Sequence, residues 1–375
     1  MRKELESPCH AALGGHLIRA IARYVAMFSL LWITPKVRGE FDVLRVDSNG
    51  GETRLFLPLN QDTLGHGVQS LFWASRSGHA VVEPAEIEKD GRWFKVLGNY
   101  GMQPKATSGA WLSGWLGDRL EHFGNLHYET VKLPNGTLAT LTRKSSAFWV
   151  IHIHGRKTLV GETLRNFQLF DDLGFNQLSI SHETDSKPYG LGAHRSTLGY
   201  QEWKELESAV LFAKAEGAER IVLFGWSLGA MIAGQFIKRS AHSSLVMAAV
   251  FDSPMFDVRH TLRLQATLSG FETEFADEVC TLIETSKLLR ILGYPQLNFD
   301  EYSLSAHQIG RILPMLVMYS KDDGYVAFQD AETFAEINNS VRLVEFEGAR
   351  HCRLMNSYPA KYADTLKMFI SELGI

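Results

Sequence analysis

Ser227 lies in the run Gly225-Trp226-Ser227-Leu228-Gly229, and a serine in this setting can attack an acyl carbonyl. Glycines two before and two after it remove side chains that would collide in a sharp turn. The pentapeptide is short, so its surroundings carry the weight. The strand-like run RIVLF (220–224) leads in, and a helix-like stretch rich in small residues (Ala230, Ala233, Gly234) leads out. Strand, turn and helix in that order expose the hydroxyl at a helix N-terminus, where the dipole favours negative charge. The competing reading is a glycine-rich turn with an incidental serine.

A serine hydroxyl needs a positioned base, and the base an orienting acid. His351, in Gly348-Ala349-Arg350-His351-Cys352, follows the apolar run VRLVEF (341–346) and precedes a helix-like stretch, KYADTLKMFI (361–370). A loop after a late strand suits the base; the alternative is a surface histidine, one of 14 in the chain. The run Ser320-Lys321-Asp322-Asp323-Gly324-Tyr325-Val326 follows LPMLVMY (313–319) and offers two adjacent acids. Asp252, in Phe251-Asp252-Ser253-Pro254, is a further rival, with a turn cap as its simpler reading.

A tetrahedral intermediate needs two N–H donors for its oxyanion. Leu228 is one candidate. Arg156 is the other, in His154-Gly155-Arg156-Lys157 after FWVIHIH (148–154). Trp226, Gly155 and Lys157 flank these donors and are expected to contact substrate. The Arg156 guanidinium and Lys157 suit an anionic substrate group, with plain solvated charge as the default. His152 and His154 form a His-x-His pair, but no third ligand is evident, so no metal is expected and His154 is read as fixing the loop.

These residues need elements to hold them. From 41 to 143 the chain reads as short strands: FDVLRVD, TRLFLPL, VVEPAEIEKD and RWFKVLG, then a connector around Trp111, Trp115 and Gly117-Asp118. LHYETVKL and GTLATLTR then flank Pro134-Asn135-Gly136, a hairpin signal. Beyond 148, strands (148–154, 176–181, 220–224, 245–251, 313–319) alternate with helical stretches (161–173, 200–216, 230–240). That rhythm predicts an α/β fold with a mostly parallel central sheet flanked by helices. The stretch 254–311 is too long for an ordinary crossover and reads as a helical insertion capping the sheet's C-terminal edge. The expected division is an N-terminal helix (1–34), a β-rich extension (35–125) and a main domain (126–375) with its cap at about 255–311.

The chain has 375 residues, 45% apolar and 21% charged, with a net charge of −4 and no basic stripe, so nucleic acid is not an expected partner. Three scattered cysteines without a CxxC pair suggest neither zinc nor disulfides and suit a cytoplasmic setting. Residues 11–34 carry Arg19 and Arg23 among apolar residues. The favoured reading is an amphipathic helix docked on the protein's own core; the alternative is peripheral membrane contact.

HGRK (154–157), GWSLGA (225–230), FDSP (251–254), SKDDGYV (320–326) and GARHC (348–352) together resemble the α/β-hydrolase superfamily over residues 145–375, in family order. The resemblance is greatest to the bacterial dipeptidyl-aminopeptidase-like esterases. It implies Ser227 as nucleophile, His351 as base and Asp323 as acid, since Asp323 and Val326 match an Asp-x-x-Val pattern, with Asp322 as fallback. It implies hydrolysis of a small-molecule carboxylic ester, with a lipid-like acyl ester among the candidates, and no cofactor. A peptidase or amidase, an acyltransferase on the same residues and a non-catalytic binding protein are the rivals. An apolar pocket is expected from the cap, with Phe256, Leu262, Leu264, Leu268, Phe271, Leu288, Leu289 and Ile291 as candidate lining residues, although for most of them the cap's own core is the favoured role. The expected Asp-x-Arg-Gly pattern is replaced by Ser181-His182-Glu183-Thr184-Asp185.

Overall fold

The computed structural model describes residues 8–31, 39–106, 109–117, 119–123, 126–158, 160–182, 185, 195–305 and 313–375. Asp118, Glu183, Thr184 and the last residues of the expected cap (306–311) lie outside them.

Two sheets carry the chain. The first is wholly antiparallel and holds β1 (Phe41–Asp42), β2 (Arg45–Asn49), β3 (Glu52–Leu57), β4 (Gln69–Trp73), β5 (Gly78–Glu88), β6 (Gly91–Asn99) and β7 (Gly109–Ser113), ordered β1-β7-β4-β5-β6-β3-β2. Its residues alternate between faces. Leu71, Trp73, Ala110 and Leu112 point into one apolar core, while Phe72 and Trp111, paired across β4 and β7, point to the other face. The expected strand FDVLRVD divides into β1 and β2. Strands β4 and β7 were not expected, and Trp111 belongs to β7 rather than to a connector.

The second sheet holds β8 (Glu129–Lys132), β9 (Leu138–Thr142), β10 (Phe148–Ile153), β11 (Asn176–Ile180), β12 (Arg220–Trp226), β13 (Val246–Asp252), β14 (Met315–Tyr319) and β15 (Val341–Glu345). Their order is β15-β14-β13-β12-β10-β11-β9-β8, parallel from β15 to β11 and closed by the antiparallel β8–β9 hairpin. Successive strands add to opposite sides of β10, so the order reverses between β10 and β12. Ligands bind beyond the strand C-termini at such a reversal.

The helices are α1 (Pro8–Leu31), α2 (Phe167–Asp172), α3 (Trp203–Ala215), α4 (Leu228–Arg239), α5 (Val258–Leu268), α6 (Thr273–Thr285), α7 (Lys287–Ile291), α8 (Phe299–Tyr302), α9 (Phe328–Ile337), α10 (Leu354–Ser357) and α11 (Pro359–Glu372). The helix expected over 161–173 is shorter: two 3-10 turns, Val160–Glu162 and Leu164–Asn166, precede α2. Helices α5 to α8 form the insertion after β13. Helix α1 docks on it: Met27 and Leu31 enter the main core, and Arg19 and Arg23 pair with Glu278 of α6. Among the described residues no helix is long and apolar enough to cross a membrane.

Candidate active site

Ser227 stands between β12 and α4 with φ 51° and ψ −114°, a conformation that costs a β-substituted residue on the order of 1–3 kcal/mol. Its neighbours make that possible. A Cβ on Gly225 would lie 2.6 Å from the Ala230 nitrogen, and one on Gly229 would lie 2.1 Å from the Ile153 carbonyl oxygen. The Ser227 N–H donates to Asp252 O (3.0 Å), and its carbonyl accepts from Ala230 and Met255 (both 3.1 Å).

The structure brings Ser227, His351 and Asp323 together. His351 Nε2 is 2.9 Å from Ser227 Oγ, and its Nδ1 is 2.9 and 2.8 Å from the two Asp323 carboxylate oxygens. Asp323 Oδ1 also accepts the N–H groups of Tyr325 and Val326, each at 2.9 Å, which fixes the carboxylate. The adjacent Asp322 is exposed and accepts the Gly348 N–H (2.9 Å), tying the acid loop to the histidine loop. Asp252 is turned to a separate buried network. Tyr325 stacks on the His351 ring at 4.8 Å.

The loop after β10 lies against Ser227: a Cβ on Gly155 would be 3.2 Å from Ser227 Cβ. Leu228 opens α4, so its N–H belongs to a first turn without intrahelical acceptors. Two carboxylates hold the loop. Glu162 Oε2 accepts the Gly155 N–H (2.7 Å) and the Thr158 hydroxyl (2.8 Å). Asp185 Oδ2 pairs with His154 Nε2 (2.8 Å) and accepts the His182 N–H (2.7 Å). Burial works against the Asp185 charge, yet His154 and His182 hold its carboxyl below the usual range. Burial likewise works against a charged His182, but Glu205 outweighs it and lifts the imidazole to about 9. Neither Glu162 nor Asp185 had a sequence signal as a loop clamp. Glu162→Ala is expected to lower kcat about 100-fold, because the donor loop shifts by a fraction of an ångström, while Glu162→Gln, which can still accept the Gly155 N–H, stays within about tenfold. Steady-state kinetics of the two variants check this; equal kcat values would remove Glu162 from the site's support.

Two expectations are corrected, for Arg156 and for Trp226. The Arg156 guanidinium does not face substrate: its Nη2 donates to the α1 carbonyls of Ser29 (2.7 Å) and Leu30 (2.9 Å), anions in partial charge at a helix C-terminus. Trp226 is wholly buried in the core, stacked on Phe224 at 4.2 Å, whereas Gly155 and Lys157 do line the cavity. His152 is buried against Phe167 and drops to about 3 by burial, so it is a neutral core histidine. Among the described residues no group of His, Cys, Asp and Glu is arranged to hold a metal.

A cavity of about 1150 Å³ opens over Ser227, Asp323 and His351. None of the described cap residues is among its walls. Phe256 is buried in the core and Leu262 packs against it, while Leu268, Phe271, Leu288 and Ile291 are exposed on the insertion's surface. The facing wall comes instead from the first sheet, through Phe72, Arg76, Trp111 and Trp115.

That sheet is fastened to the segment carrying His351. Arg350 donates to Gln61 Oε1 (2.8 Å), Arg353 pairs with Asp62 (3.1 Å), and Asn356 Nδ2 donates to Val68 O (2.6 Å) and Gly114 O (3.0 Å). Buried Arg165 joins Gly114 O (3.0 Å) to Cys352 O (2.8 Å). Behind it Asp252 accepts from Tyr362 (2.8 Å) and Ser253 (3.0 Å), and Ser253 Oγ accepts the Cys352 N–H (3.0 Å).

No curated protein matches the chain by sequence. Among solved structures, it is similar to an esterase from Pyrococcus furiosus (19% identity, TM-score 0.49, covering 66% of this chain and 93% of that one). It is also similar to an esterase from Rhodococcus sp. (15%, TM-score 0.46, 66% and 99%) and to a bacterial membrane phospholipase A (16%, TM-score 0.44, 66% and 86%). The model of the alpha/beta hydrolase family matches residues 178–365, half of the chain, and with the fold described above the chain belongs to that family.

Proposed function

We propose that the protein is a serine hydrolase that cleaves a carboxylic ester through an acyl-serine intermediate. One observation carries the reading: Ser227 Oγ lies 2.9 Å from an imidazole whose other nitrogen is held by the buried Asp323. In this mechanism Ser227 Oγ attacks the ester carbonyl as His351 Nε2 takes its proton. Asp323 keeps the imidazole in the required tautomer and stabilises the imidazolium. The Leu228 and Arg156 N–H groups receive the oxyanion. His351 then protonates the departing alcohol, and a water deprotonated by His351 attacks the acyl-enzyme to release the acid.

A fluorophosphonate probe should label wild type at Ser227 and leave Ser227→Ala unlabelled, read by peptide mass spectrometry. Folded wild type without label would overturn the reading. Simple esters in a panel of graded acyl length should be cleaved by wild type alone.

A further inference from the structure

We infer that the first sheet supplies an aromatic subsite, so that the preferred substrate is an ester carrying a planar aromatic group. The inference rests on the serine-hydrolase reading and names its substrate class. Phe72 and Trp111 are registered across β4 and β7 and lie on the sheet face opposite its core. Their rings are 5.6 Å apart at 25°, and Trp115 meets Phe72 edge-on at 5.5 Å and 77°. All three line the cavity that holds Ser227 and His351. Phe72, Trp111 and Trp115 are nearly buried and form a small apolar cluster of their own at the cavity wall, apart from the core on the sheet's other side.

A strained turn adjoins this wall and places Arg76 in it. Ala74, Ser75 and Arg76 follow β4 with φ of 47°, 54° and 75°, three successive non-glycine residues in the left-handed region. Such strain persists where surroundings over-determine it and gathers at ligand sites. In this turn the Arg76 guanidinium lies 5.0 Å from the Trp115 ring and 5.9 Å from that of Phe72. On the triad side, the Tyr325 ring on His351 adds a further flat surface to the same cavity. Offset and edge-on ring contacts favour an aryl group over a saturated ring of the same size. An aliphatic chain would gain burial there but none of that preference.

The test compares esters matched in carbon count. Ethyl 3-phenylpropanoate against ethyl 3-cyclohexylpropanoate probes an aromatic acyl group, and benzyl acetate against cyclohexylmethyl acetate probes an aromatic alcohol. Wild type is expected to favour the phenyl member of one pair by about tenfold in kcat/KM. In Trp111→Leu/Trp115→Leu the ratio falls toward one, and in Phe72→Leu it falls part of the way. Because each variant is its own reference, a general loss of activity cancels. Calorimetric titration of Ser227→Ala with the same esters gives the preference in Kd, independent of turnover. A ratio near one for wild type in both pairs, or a ratio unchanged in the variants, would overturn the aromatic subsite. Phenyl-selective binding without any hydrolysis or fluorophosphonate labelling would instead sink the hydrolase reading and leave the subsite standing.

Discussion

Ser227→Ala is expected to lower kcat/KM for a p-nitrophenyl ester by roughly 10⁴ to 10⁶-fold, the range found when a nucleophile is removed from a three-residue acyl-transfer site. His351→Ala should fall in the same range, because without the imidazole the serine proton has no acceptor at 2.9 Å. The double variant should be scarcely worse than either single one, since the residues act as a unit. Asp323→Asn is expected to cost about 10⁴-fold through the wrong imidazole tautomer. Asp322→Asn should cost less than about tenfold, its carboxylate serving the Gly348 N–H rather than the imidazole. Initial rates on purified, folded variants decide the matter. A Ser227→Ala enzyme keeping more than about one part in a hundred of wild-type activity would mean that the serine is not the nucleophile.

The largest expected loss of stability is at Arg165. It is 3% exposed, joins two backbone carbonyls from different parts of the chain and sits 5.5 Å from the Trp226 ring. Burial pushes the carboxyl of wholly buried Asp252 up, and Arg165 is the charge that opposes the push. Arg165→Met keeps much of the side chain's length but leaves Asp252 without that cation. Removing a buried cation that acts on a buried carboxyl, together with its bonds to the Gly114 and Cys352 carbonyls, costs about 3–5 kcal/mol, measurable by urea unfolding. The deficit should shrink on acidification. Without Arg165 the folded pKa of Asp252 rises further, so the folded variant holds a proton that the unfolded chain lacks. Its stability is then greatest below the unfolded carboxylate range and falls as pH rises through the elevated folded value. Adding Asp252→Asn should recover part of the loss at neutral pH, because the amide needs neither a counter-charge nor a bound proton. A single variant within about 1 kcal/mol of wild type at neutral pH would show that Arg165 is not the counter-charge.

The turn at Ser227 was legible because its cause is local: an apolar run, two glycines where any Cβ would strike backbone, and a small-residue helix. The loops after β14 and β15 were legible for the same reason, as apolar runs ending in polar residues. Choosing Asp323 over Asp322 needed a family pattern, because adjacent acids in one loop are distinguished only by where the backbone turns. The cavity wall was not legible. Phe72 and Trp111 become neighbours through strand register, and QSLFW and GAWLS are too short and too uniformly buried to show the alternation that marks a strand. Which face of that sheet meets the triad depends on Arg350, Arg353 and Asn356, nearly 290 residues beyond their partners Gln61 and Val68 in the case of Arg350 and Asn356. The cap was read correctly as helical and wrongly as the pocket wall, because periodicity marks an apolar face without saying what it meets. Arg156 misled for a related reason: a loop arginine beside a nucleophile looks like an anion receptor until the carbonyl end of α1 is found against it.

The fastening of the first sheet to residues 350–356 also sets an order of events during synthesis. The strands that form the outer wall are made early, and Ser227 emerges on its turn well before its base. Until residue 351 is added the serine has no proton acceptor, and until Arg353 and Asn356 follow the wall has little to grip. A growing chain therefore carries Ser227 without its proposed base, and the proposed activity waits on residues 351–356, made after the strands of both sheets.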